Sequence, residues 1–175
     1  MVIKGLTQVM TNLNMQLEGI KVRSLKGLVE SALLVRRETE TWNPVTPVDL
    51  GNLRSSYFIA VATGAKPISD TGNFKNRRGK AKKGLAAKLK TEHAAVIAKS
   101  VAEASAAMKK KKAMVIFGYS ANYAAIVHEA MFGSSSPKLD ANYSRPGSGP
   151  KWFEAAIKRN KKQIIELVKK NAKLK

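Results

Sequence analysis

The sequence predicts an α+β fold, on three observations. Both ends of the chain repeat apolar residues at three- and four-residue steps, the spacing of amphipathic helices. Two short runs, 53–61 and 113–117, are rich in β-branched and aromatic residues and read as strands. Between them an alanine-rich stretch of helical character, 85–108, follows a basic, glycine-punctuated segment. The expected order is helix, strand, basic helical insertion (64–112), strand, and a basic C-terminal helix (150–175), all within one domain spanning 1–175.

The first helix rests on Leu6, Met10, Leu13, Leu17, Ile20, Leu28 and Val35, up to Thr41. That is about 36 residues, or roughly 54 Å at the rise of an α-helix. Gly19 and Gly27 interrupt it, each at a cost of about 1 kcal/mol relative to alanine. The helix is expected to pack on the domain's own sheet.

A corner follows at 46–58, T-P-V-D-L-G-N-L-R-S-S-Y-F. Pro44 and Pro47 fix φ and disfavour helix in the residues before them, so the first helix must end here. Asp49 can accept backbone N–H bonds, and Gly51 can take φ > 0 without steric cost. Leu53 then opens the strand run of Tyr57, Phe58, Ile59 and Val61.

The basic segment has few apolar residues between Gly64 and Gly84, so a mobile arm at 75–83 is the default expectation. Leu85, Leu89, Val96, Ile97, Val101 and Met108 give the following helix its apolar positions, and Lys109 to Lys112 suit its C-terminal end. After the second strand, 118–129 reads as a short helix that Ser120 or Asn122 could cap, with Tyr123, Ile126 and Val127 on one face. The loop 131–148 is rich in Ser, Pro and Gly. Pro150 is expected in the first turn of the last helix, whose apolar face is Phe153, Ala156, Ile157, Ile164, Leu167 and Val168.

The net charge is +20 and is segregated. Residues 64–112 carry +11 and 150–175 carry +7, while 1–63 carry +2 and 113–149 carry none. Such segregation suits a polyanion or an acidic protein surface. Candidate contacts are Lys75, Arg77, Arg78, Lys80, Lys82 and Lys83.

Catalysis has little footing. The chain has no cysteine and only two histidines, which rules out the usual Cys/His zinc sites and disulfides. His128 adjoins Glu129, but neighbours in a helix face different ways and no nucleophile motif accompanies them, so a structural histidine is expected. His93 reads as a surface or packing residue, and Trp152 and Phe153 as core anchors. Ser134-Ser135-Ser136 and Gly147-Ser148-Gly149 lack phosphate-loop spacing. The acidic residues are scattered, so neither a metal nor a cofactor is expected. No run is long enough to span a membrane.

Three blocks occur in order: P-V-D-x-G-x-L-R, N-Y-A-x-x-V-H-E and R-P-G-S-G-P-K-W-F-E-A-A. This order resembles the tail-completion or head–tail joining proteins of tailed bacteriophages, over residues 44–63 and 113–160. The resemblance implies a non-enzymatic virion subunit, with a long helix packed on a small, mainly antiparallel sheet. It also implies a homo-oligomeric ring, a hexamer, in the neck between portal-connector and tail. The expected neighbours are connector or stopper and tail-tube or tail-terminator proteins, with genome DNA in the channel and no membrane. The protein would assemble in the host cytoplasm and reside in the virion. Pro47, Asp49, Gly51, Leu53, Tyr123, Gly149 and Pro150 would be fold-defining. The chain departs from the pattern at Leu50, often Thr, at Ala130, often Gly, and in the basic insertion. The alternative class is a sequence-independent nucleic-acid-binding protein.

Overall fold

The computed structural model describes residues 6–48, 50–62, 67–69, 72–76, 84–129 and 145–173. Its elements are α1 (Leu6–Thr41), α2 (Asn52–Ser55), β1 (Tyr57–Val61), β2 (Ile68–Ser69), α3 (Leu85–Lys109), β3 (Val115–Tyr119), α4 (Ala124–Glu129) and α5 (Trp152–Ala172). The α+β class is as predicted: a long helix at each end and a small antiparallel sheet in the order β2-β1-β3.

The central strand β1 is buried along its whole length. Alternation of side chains explains how it serves two layers. Tyr57, Ile59 and Val61 join Leu25 and Ala32 of α1 in one core cluster. On the opposite face Phe58 meets His93 of α3, with ring centroids 6.5 Å apart. Strand β3 lies two residues beyond the predicted 113–117. Its register is set where Tyr119 stands opposite Tyr57, the two rings meeting edge to face at 5.3 Å.

Helix α1 is continuous through both glycines. Gly27 is where α5 crosses: a Cβ there would lie 2.8 Å from Val168 Cα and 3.0 Å from the Leu167 carbonyl oxygen. Ser31 Oγ donates to the Ile164 carbonyl at 3.5 Å and Asn171 Nδ2 to Glu30 Oε2 at 2.8 Å, so the two helices run antiparallel. The predicted apolar face of α5 is its covered side, and Lys158, Lys161, Lys162, Lys169 and Lys170 are exposed.

The expectation that the whole apolar stripe of α1 packs on the sheet is corrected. Met10, Leu13 and Leu17 are exposed, and only the later part of the helix meets the core. The reason is length. Val168 faces Gly27, and α5 ends at Ala172, about one turn further on, so it cannot reach the first roughly four turns of α1.

Four smaller expectations are also revised. Leu53 does not begin the strand: it sits in the helical turn α2, because Gly51 at φ 81 starts a turn that Ser56 closes with its N–H and Oγ on the Leu53 carbonyl. Ile126 is 59 % exposed, off the face where Tyr123 and Val127 pack, since three residues along a helix do not keep it in line with both. Pro150 precedes the helix rather than entering it. Lys151, at φ 58, is the residue before the first turn of α5. Finally, the segment read as an arm contains β2 and a packed Phe74, whose ring lies 5.6 Å from that of His93. Residues 77–83 lie outside the described residues, as does Asp49.

Candidate functional site

The three sequence blocks converge at the C-terminal end of α1, and one carboxylate ties them there. Glu40, largely buried, receives Arg36 Nη1 on Oε1 at 2.6 Å. On Oε2 it receives Arg54 Nε from the corner at 2.9 Å and Arg145 Nη1 from the third block at 2.8 Å. Arg145 Nη2 also donates to the Glu40 carbonyl oxygen at 2.5 Å. Three guanidinium groups around one carboxylate leave it no free oxygen for chemistry.

Backbone pairing reinforces the junction. The Val45 N–H donates to the Gly147 carbonyl at 2.9 Å, and Val45 forms a parallel bridge with Ser148. Gly147 has φ 78, and a Cβ on it would overlap the side chain of Asn43. A Cβ on Gly149 would stand 3.2 Å from Pro44 Cβ. The R-P-G-S-G stretch thus needs glycine because it lies against the corner's first proline.

Below this lies a polar hub. The Tyr119 hydroxyl bonds Thr46 Oγ1 at 2.8 Å and Thr39 Oγ1 at 3.1 Å. The Arg36 guanidinium sits 4.9 Å from the centre of the Tyr57 ring. Deeper still, Leu53, Ala124 and Trp152, one from each block, share a core cluster with Leu89 and Ala121. Tyr123 packs against it. Pro47 is buried.

His128 is the structural residue its context predicted. Its ring stacks edge to face on Trp152 at 4.8 Å. Its Nε2 accepts the Glu154 N–H at 3.4 Å, and its carbonyl accepts the Lys151 N–H at 2.8 Å, so it joins α4 to the start of α5. Nδ1 meets Glu129 Oε1 at 2.8 Å. Glu129 also pairs with Lys151 Nζ. The hydrogen bond from Lys151, and then that from His128, hold the Glu129 carboxyl below its ordinary range, and Glu129 in turn raises Lys151. Lys158 lowers Glu154 in the same way. His93, read from sequence as a surface or packing residue, is buried with Nδ1 2.6 Å from Ser120 Oγ. That bond engages a hydroxyl expected to cap α4.

The basic segment has a fixed root. Asn52 Nδ2 donates to the Lys75 carbonyl at 2.9 Å, and Asn52 Oδ1 accepts the Lys75 N–H at 2.6 Å. Asn76 Oδ1 accepts the Ala86 N–H at 2.9 Å. Lys75 is therefore held by its backbone, while its side chain is exposed. Between these anchors the sequence places Arg77, Arg78, Lys80, Lys82 and Lys83, five cations in residues 77–83. The remaining candidate, Asp49, lies outside the described residues.

Among the described residues no three His, Cys, Asp or Glu side chains gather as a metal site would require. No helix among them is long and apolar enough to cross a membrane. Compared with protein-family models, curated proteins and solved structures, the chain has no match in any of the three. Sequence reasoning missed Glu40, Tyr119 and Asn52. Glu40 and Arg145 are 105 positions apart, and nothing local to either marks the partnership.

Proposed function

We propose that this chain is a structural subunit of a tailed-phage neck, forming a ring that joins portal-connector to tail. The observation that carries this reading is the convergence of the three family-like blocks on Glu40 and Trp152. Residues that recur in a family for architectural reasons belong in such a junction, where their polar groups bond one another. The block order supplies the family and the junction supplies the role of its residues.

The basic segment supports contact with genome DNA or an acidic neighbour in that setting. Its cations emerge between two pinned points, Lys75 and Ala86, which confines their charge to one place on the subunit. The same observation favours the second reading, a free nucleic-acid binder that recognises phosphate without sequence preference.

Mass spectrometry and electron microscopy of purified particles test the first reading. The chain is expected at ring stoichiometry in the neck; its absence from particles overturns that reading. Replacing Lys75, Arg77, Arg78, Lys80, Lys82 and Lys83 by glutamine tests the DNA contact. The expected result is a flatter dependence of DNA affinity on salt at an unchanged melting temperature, through fewer released counterions. An unchanged slope assigns the segment to protein.

A further inference from the structure

The first turns of α1 stand clear of the rest of the described structure and are chemically unlike it. Met10, Leu13, Met15 and Leu17 are 47–61 % exposed. From Leu6 to Leu17 there is no ionisable residue, in a chain of net charge +20. A solvated surface of this protein is lysine-rich elsewhere, as on α5, so an uncharged and partly apolar helix asks for a cover.

A second uncovered surface lies on α3. A groove of about 800 Å³ runs beside it, lined by Ala94, Ile97, Ala98 and Val101 on the helix and by Pro67 and Gly72 on the opposite wall. Ala94 and Ala98 are exposed and one turn apart, so a partner backbone can approach closely.

We propose that the projecting part of α1 in one copy seats in the α3 groove of the next copy. Met10, Leu13 and Leu17 fall at helical spacing on one side of α1 and are the apolar ridge that fills it. The occupant is another copy because of charge. Two chains of +20 repel wherever their lysines meet, and residues 6–17 are a surface at which they can meet without opposing cations. The two faces differ, so the contact is head-to-tail: each copy offers one ridge and one groove, and repetition closes a ring where the rotation permits. This deepens the ring reading proposed above, on which the closed form rests.

The chain has no cysteine, which makes the test direct. A double variant, Leu13→Cys with Ala98→Cys, is oxidised as purified protein and run without reductant. A ladder of dimer, trimer and larger species is expected, whereas the two single variants mixed together give only dimer. Cross-linking of Leu13→Cys with itself at equal yield would show ridge on ridge and overturn the proposal, as would the absence of a ladder from protein with unchanged circular dichroism. Leu13→Lys provides the second measurement. It is expected to keep the wild-type melting temperature and to weaken self-association at least about tenfold in sedimentation. Identical sedimentation of the two proteins overturns the proposal. A ladder from purified protein that is absent from phage particles would retain this contact and sink the neck reading; a neck protein without a ladder would do the reverse.

Discussion

Asn52 grips Lys75 as a strand would, its amide giving one hydrogen bond to the carbonyl and taking one from the N–H, at 2.9 and 2.6 Å. The corner that turns α1 into β1 therefore also fixes where the basic segment begins. Asn52→Leu keeps the volume and removes both bonds, leaving two backbone groups of Lys75 without partners. A loss of about 1–3 kcal/mol is expected, with faster amide exchange at Lys75 and Asn76. Unchanged exchange there would refute the clamp.

Gly51 has φ 81, and a Cβ on it would meet nothing within 4 Å. Any cost of substitution is thus backbone strain alone. Gly51→Val is expected to destabilise by about 1–3 kcal/mol. Gly51→Asn should cost less, because asparagine visits the left-handed region more readily. Equal urea midpoints for the two variants would contradict this account.

Gly27 and Gly19 lie in the same helix and should answer alanine oppositely. At Gly27 the new Cβ meets α5 backbone at 2.8 Å, which forces the helices apart and costs about 1–3 kcal/mol. At Gly19 it meets the flexible end of Arg23 at 3.2 Å, and the helix gains up to about 1 kcal/mol. Thermal melts of both variants decide the matter, and a stabilised Gly27→Ala would mean α5 does not cross there.

Glu40→Gln leaves three guanidinium groups facing a neutral amide in a largely buried place. A loss of about 3 kcal/mol is expected. Arg54→Met removes a half-exposed partner and should cost less than about 1 kcal/mol. Denaturant unfolding should therefore rank the two clearly, and a reversed order would displace Glu40 as the tie.

The Glu129–Lys151 pair sets a pH window. Glu129 is lowered from 4.5, so its contribution is present above that value and is lost as pH falls through the lowered pKa. Lys151 is raised from 10.5, so its contribution is present below that value and is lost as pH rises through the raised pKa. The difference in melting temperature between wild type and Glu129→Gln should accordingly be greatest in the neutral range and vanish at both extremes. A difference constant with pH would exclude the pair as its source.

By itself the sequence determined what local physics controls. Helical spacing located α1, α3 and the covered face of α5 closely, because periodic burial marks a helix in any context. Pro44, Pro47 and Gly51 announced the corner, since φ restriction acts residue by residue. The tertiary structure decided what depends on meeting. Nothing in the spacing of Met10, Leu13 and Leu17 distinguishes an apolar stripe that is covered from one that is not; the length of α5 does that. Leu53 read as strand because its neighbours are apolar, and became helical turn because Gly51 and Ser56 close around it. Glu40 looked like one more charge on a helix surface. It became the tie of three blocks only when Arg54 and Arg145, distant in sequence, were brought to the same end of α1, where desolvation makes a single carboxylate count.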